Sequence, residues 1–165
     1  MTGVKDLVLQ QLGTGQFLIE KFTADLTDAE YFKVPTPGAN HAAWIVGHIA
    51  CSEDSIVAAI TGAAQRLPDA MHELFKGGSK CVADAARYPA RRQIDDLFRN
   101  ARAHTVDVLQ KFDEKRWDAP SPEGWDENLF PTLGTMWALQ ATHPFWHIGQ
   151  LTVCRTALAK KHVLM

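Results

Sequence analysis

Apolar residues recur at helical spacing in four stretches of the chain. The first runs from about Lys5 to Leu26, with Leu7, Val8, Leu12, Leu18, Phe22 and Leu26 on or near one stripe. The second follows PTPGAN, where Asn40 is the expected N-cap. Its stripe is Trp44, Ile45, His48, Ile49, Ile56 and Ile60, and Gly62 is the expected stop. The third begins near Pro89, a residue suited to a first helical turn. Ile94, Leu97, Phe98, Ala101, Val108 and Phe112 form its apolar face. Arg91, Arg92, Asp95, Asp96, Arg99 and Arg102 fill the remainder, as a solvated face would. The fourth starts near Thr132 or Thr135 and reaches about Lys160. Met136, Trp137, Leu139, Phe145, Trp146, Ile148 and Leu151 make it apolar almost all round, which predicts the most buried helix. No stretch alternates long enough to argue for a sheet, so the fold class is all-α.

The connections suggest a topology. The second and third helices are separated by 27 residues from Gly62 to Tyr88, a long connection. Short loops force antiparallel neighbours, whereas a long crossover lets successive helices run parallel. The expectation is an up-down-down-up four-helix bundle, with AMHELF a short helix inside the crossover. The later connection, WDAPSPEGWDENLFPT, is rich in Pro, Asp and Gly, and its Trp117 and Trp125 are expected to lid one end of the bundle.

Length and composition narrow the picture. A chain of 165 residues is most simply one domain, residues 1–165, with one good core. It is 46% hydrophobic and 22% charged, with a formal net charge of −2. That balance gives no long-range attraction to nucleic acid or an anionic membrane, so neither is expected as a partner. No run of about 18 apolar residues stands out as a membrane span, and MTGVKDLVLQQ lacks the pattern of a signal peptide. Cys51, Cys81 and Cys154 form no CxxC pair, which suits a reducing cytoplasm.

The chemistry lies in the histidines. His143 and His147, in ATHPFWHIGQL, are one helical turn apart and share a face. His48 lies on the apolar stripe of the second helix, where a polar ring needs a partner. A metal shared by the three rings supplies one, with His143 and His147 as buried rings hydrogen-bonded to each other or to backbone as the alternative. Three neutral imidazoles suit zinc, nickel, copper, cobalt or ferrous iron and leave a position open, as catalytic sites do. His41, about 10 Å from His48 along a helix axis, is expected to start the helix. His104 is expected to be a satisfied core histidine or to support a ligand. His72 and His162, in loop and tail, carry no argument.

These residues resemble a known family. The pattern W-x-x-G-H-I of Trp44–Ile49 is similar to the second helix of the DinB-like (DNA-damage-inducible) superfamily. So is Thr132–Gly134 followed by H-x-x-x-H-x-G-Q-L at His143–Leu151. Order, spacing and crossover agree over most of the chain. The resemblance implies a four-helix bundle, often a homodimer, holding a divalent metal, commonly nickel or zinc. Mapped onto this chain, its ligands are His48, His143 and His147. Some members are transferases or isomerases that use low-molecular-weight thiols, and the family name does not imply DNA binding.

Pro144 follows a ligand directly. It removes the N–H that would bond the Gln140 carbonyl, crowds that carbonyl and biases His143 away from helical dihedrals. A kink or bulge is expected at residues 140–144, of the sort that marks functional sites. Gln150, three residues after His147, can bond a ligand ring or a bound water, with a buried amide bonding backbone as the alternative. Cys51 reads as a small apolar filler, with a fourth, thiolate ligand as the alternative. Glu53 and Asp54 read as a solvated helix face, with a general base as the alternative. No E-x-x-H pair, HExxH, P-loop or GxSxG is present, and GTGQ is no nucleotide loop.

Three functions follow, in order. The first is a metal-dependent hydrolase or thiol-dependent transferase acting on a small molecule. The second is a metal-binding module without turnover, and the third is a structural dimeric bundle.

Overall fold

The computed structural model describes residues 3–161 and 163, so His162 lies outside the described residues. Four long helices dominate: α1 (Val4–Thr23), α3 (Ala42–Thr61), α5 (Arg91–Lys111) and α6 (Leu133–Ala157). Two short ones lie in the connections, α2 (Asp28–Tyr31) and α4 (Asp69–Phe75). No strand occurs among the described residues, only an isolated bridge between Pro120 and Thr132. AMHELF is helical, as α4.

The helix ends follow from local chemistry. The N-cap of α3 is His41, not Asn40: its Nδ1 accepts from the Trp44 N–H at 2.9 Å. An imidazole nitrogen meets the same orphan donor that an Asn oxygen would. Gly62 ends α3 at φ +74, a left-handed conformation that costs glycine little. Helix α5 begins at Arg91, after Pro89, with the Gln93 side chain accepting from the Ala90 N–H at 3.0 Å. Thr132 caps α6. That helix stays α-helical across Pro144, and no π-turn interrupts it. The regular turns on either side, in a helix of 25 residues, hold His143 in helical register despite the proline.

Side chains tie the helices together in definite directions. Lys5 Nζ donates to the Phe112 carbonyl at 2.8 Å, and Arg91 Nη2 to the Thr23 carbonyl at 2.9 Å, so α1 and α5 run antiparallel. Gln140 Nε2 donates to the Glu53 carbonyl at 3.0 Å, and the Cys154 thiol to the Asn40 carbonyl at 3.3 Å, so α3 and α6 run antiparallel. Pro144 lies against Gly15 and Arg155 against Phe22, so α1 and α6 run parallel.

The most buried helix is α3, with 15 of 20 residues buried, rather than α6, with 11 of 25. The reason is cover: α5, α6 and α4 all pack on α3, whereas α6 leaves Trp146 63% exposed. By length and composition α3 reaches the apolarity of a membrane span, among the described residues the one exception to the expectation of none, and 78% of that window is buried in the fold.

The core forms two clusters. One contains Ile19, Phe22, Trp44, Ile45, Ile49, Phe75, Phe98, Ile148 and Leu151. The other contains Val8, Leu12, Ile56, Ile60, Leu109, Phe112, Met136 and Trp137, with Trp117 and Trp125 packed partly buried against it. A polar layer lies where the clusters meet along α3 and α5. Glu53 and Arg102, expected on solvated faces, are 0% and 1% exposed. Arg102 Nε lies 3.0 Å from both Glu53 carboxylate oxygens, its Nη2 pairs with the same carboxylate, and its Nη1 donates to the Leu12 carbonyl. The Thr105 hydroxyl donates to Glu53 at 3.1 Å. Both charges are therefore met inside the bundle, which is the condition for burying them. Asp54 is also buried, accepting from the Arg66 and Leu67 N–H groups at 3.0 to 3.1 Å and facing His72 Nε2 at 3.0 Å. It pins the start of the crossover to α3.

Candidate metal centre

His48 of α3 and His143 and His147 of α6 converge because the two helices are antiparallel and adjacent at this level. One ring nitrogen of each lies within 4.8 Å of the others. Among the described residues no other group of His, Cys, Asp and Glu gathers in this way. The ring centroids are 4.5 Å apart for His143 and His147, 4.8 Å for His48 and His147, and 5.2 Å for His48 and His143.

Hydrogen bonds orient two of the rings. The Phe75 carbonyl can only accept, so His48 donates from Nδ1 at 2.8 Å and its Nε2 is unprotonated. His147 donates from Nδ1 to Gln150 Oε1 at 3.1 Å, so its Nε2 is unprotonated and accepts from His143 Nε2–H, a bond that a shared ion would replace. Gln150, exposed on α6, thus meets the ligand ring as its spacing suggested. The Nε2 atoms of His143 and His147 are 2.9 Å apart. Two nitrogens at zinc-ligand distance from one ion are separated by about 2.9 Å at a right angle and about 3.3 Å at the tetrahedral angle. The donor set therefore fits a divalent transition ion.

The electrostatics agree. Burial holds His143 down to about 3, with the neighbouring His147 and His48 adding to the shift. Burial likewise holds His147 down to about 4, although its bond to Gln150 opposes this. His48 is lowered by burial and partly restored by the Phe75 carbonyl. All three are neutral near pH 7, the state a metal requires.

The surroundings are aromatic and sparsely polar. Trp44 stacks on His48 at 4.8 Å and 8°, and Trp146 meets His143 edge-on at 5.9 Å. The Ser52 hydroxyl is 3.4 Å from His48 Nε2, the nitrogen not bonded to the Phe75 carbonyl. A cavity of about 160 Å³, lined by Gly38, Ala39, Asn40, Gln150 and Val153, lies beside Gln150.

Other candidates lie elsewhere. Cys51 is buried in the first core cluster, its thiol pushed up to about 12 by burial, and it is not part of the trio. Glu53 and Asp54 are held by Arg102 and by the crossover. His41 caps α3, and His104 lines a separate cavity of about 140 Å³ with Asp54 and Arg66. Two contributors escaped the sequence reading. Ser52 was within reach, because it stands one turn after His48 on the same face. The Phe75 carbonyl was not, because only the docking of α4 brings it there.

A family model for the DinB superfamily matches residues 11–151. No curated protein matches the chain. Solved structures resemble it, two of them as follows. A conserved protein from Enterococcus faecalis has 18% identity and a TM-score of 0.76, covering 97% of this chain and 100% of its own. YfiT from Bacillus subtilis, described as a probable metal-dependent hydrolase with an unusual four-helix bundle topology, has 17% identity and a TM-score of 0.68. That match covers 95% of this chain and 89% of YfiT. At such identities the likeness is one of fold.

Proposed function

The chain belongs to the DinB superfamily, and from that premise we propose that His48, His143 and His147 hold a divalent transition ion, nickel or zinc, at which a small molecule is hydrolysed. The observation that carries the reading is the convergence of three neutral imidazoles, His48 and His147 buried and His143 half-buried, two of them with Nδ1 committed elsewhere. YfiT, a protein of the same fold, is described as a probable metal-dependent hydrolase, which supports the reaction class.

An ion held by three neutral nitrogens with a position open supplies Lewis acidity, lowering the pKa of a water or thiol and polarising a substrate carbonyl. The chain's own groups do the rest. Phe75 and Gln150 fix two ring orientations. Trp44 and Trp146 flank the rings with apolar surface. Ser52 offers a hydroxyl to a polar substrate group beside His48.

One observation favours a second reading. No carboxylate belongs to the trio, and the two that follow His48 on α3 are engaged, Glu53 by Arg102 and Asp54 by Arg66, Leu67 and His72. A site without a protein carboxylate base suits a nucleophile as acidic as a thiol, whose pKa is about 8.5. Thiol-dependent transfer, with a low-molecular-weight thiol as co-substrate, is therefore the alternative. In either case we place the protein in the cytoplasm as a homodimer, acting without nucleic acid or membrane.

The test is elemental analysis of protein purified without a histidine tag, followed by assay on small esters and amides with and without added thiol. About one ion per chain is expected. Replacing His48, His143 or His147 singly with Ala should each lower occupancy sharply, while His104→Ala should not. Full occupancy in His48→Ala would sink the three-histidine site. A stable ion without turnover on any substrate would make the protein a binding module.

A further inference from the structure

The crossover packs on α3 at Gly47, the residue before His48. A Cβ built on Gly47 would lie 2.5 Å from Phe75 Cε1 and 2.6 Å from Cδ1 and Cζ. Real Cβ atoms do not approach that closely, so the ring is seated against bare α3 backbone that only glycine provides. The same residue's carbonyl accepts from His48 Nδ1 at 2.8 Å. Phe75 is fully buried and is the last residue of α4. A helix of 7 residues has little stability of its own, so docking, not propensity, sets where its last carbonyl points.

The following turn repeats the attachment. Ser79 accepts from Trp44 Nε1 at 3.0 Å and donates to the Leu74 carbonyl at 3.0 Å. Trp44 itself stacks on His48. A Cβ on Gly77 would stand 3.9 Å from His48 Cε1, so this turn also lies against the imidazole.

From these contacts we propose that Phe75 is a positioning residue for His48: its ring, seated on Gly47, fixes the carbonyl that sets which nitrogen of His48 faces the other two rings. This rests on the metal-site reading above and assigns the crossover a role in it. Ring and carbonyl belong to one residue, so moving the ring from its seat moves the acceptor. Without the acceptor, His48 is free to carry its proton on either nitrogen, and Nε2 is no longer committed to the trio.

The experiment compares wild type with Phe75→Ala, Phe75→Leu and Gly47→Ala in two readouts. One is zinc affinity by competition with a chromophoric chelator. The other is the ¹⁵N NMR signature of the His48 ring in metal-free protein, which reports the protonated nitrogen without any metal. Wild type should show His48 protonated on Nδ1. Phe75→Ala should lose that preference and bind zinc roughly tenfold to a hundredfold more weakly. Phe75→Leu, which still fills the seat, should recover most of both. Gly47→Ala should resemble Phe75→Ala; if it fails to fold, the two Phe75 variants decide. A merely structural Phe75 would lower the melting temperature of Phe75→Ala but leave the His48 signature and zinc affinity unchanged, which overturns the proposal. A wild type that shows Nδ1 protonation but no zinc affinity would refute the metal reading alone. A wild type that binds zinc with His48 protonated on Nε2 in the metal-free state would refute the positioning role alone.

Discussion

At the scale of single residues, Pro144 is the position where sequence and structure differ most instructively. Sequence alone treats it as a breaker beside a ligand. In the structure its ring is buried against α1, where a Cβ on Gly15 would lie 3.2 Å from Pro144 Cβ and 3.5 Å from Cγ. A residue in α1 without a side chain thus admits the proline, and the ring contributes to packing as well as costing α6 a hydrogen bond. The magnitudes decide the outcome of Pro144→Ala. Relief of a helix-interior proline is worth about 3 kcal/mol. Two lost ring carbons take back roughly 1.6 kcal/mol of burial. Metal-free protein should therefore gain about 1 kcal/mol in denaturant unfolding, less than the proline penalty alone suggests. Because α6 stays helical across Pro144 and holds His143 in register, zinc affinity should be unchanged, and a fall would show that the proline places that ring. A gain in stability with unchanged affinity would show that the proline has no part in placing His143. A loss of stability would show that its packing on Gly15 outweighs the missing hydrogen bond.

At the scale of elements, α3 and α5 are joined by a charged pair that helical periodicity assigned to solvent. Arg102 is fully buried, and its guanidinium is shared between Glu53 and the Leu12 carbonyl. Burial pushes the Glu53 carboxyl upward, and the guanidinium and Thr105 hydroxyl pull it back. Removing one partner leaves the other charge uncompensated inside the bundle. Arg102→Met should cost about 3–5 kcal/mol in denaturant unfolding, while adding Glu53→Leu to it should restore much of the loss. Equal destabilisation by the single and double variants would show that burial of an unpaired charge is not the cause. This pair also shows what a sequence conceals. The four long helices were legible because their stripes depend on local spacing, and so were His48, His143 and His147, which lie on those stripes. Glu53 and Arg102 were not, because a charge looks the same in sequence whether it meets water or a partner on another helix. The His41 cap was hidden by the stronger N-cap preference of the neighbouring Asn40. The greater burial of α3 depends on α4 and the crossover covering it, a long-range fact that composition does not encode. The Phe75 carbonyl is invisible for the same reason: a main-chain acceptor has no residue type.

At the scale of the whole molecule, the histidine trio links stability to pH and to metal. In the unfolded chain each imidazole takes a proton near the ordinary value of 6.5, whereas in the fold His143 and His147 are held down to about 3 and about 4. Unfolding therefore takes up protons below that ordinary value, and the metal-free protein should lose stability as pH falls from about 6.5 towards about 4. His41, His48 and His104 are lowered as well and act in the same direction. The lowered carboxyls of Asp25 and Glu30 also favour the fold at higher pH, but their unfolded values near 4 confine them to the acid end of the window. The raised carboxyl of Glu53 acts in the opposite sense, so the upper part of the slope is the contribution of the imidazoles less that of Glu53. Zinc should add stability at neutral pH, about 2.7 kcal/mol when its free concentration is a hundred times its dissociation constant. That increment should shrink on acidification because the ligands must be neutral. The measurement is a set of urea unfolding curves across this pH range for chelator-stripped and zinc-saturated protein, repeated with His143→Leu/His147→Leu. The double variant should have a shallower slope without metal and no zinc increment. A wild type whose metal-free stability is flat between about pH 6.5 and 5 would show that the buried imidazoles are not held neutral by the fold. Retention of the zinc increment in the double variant would place the ion elsewhere.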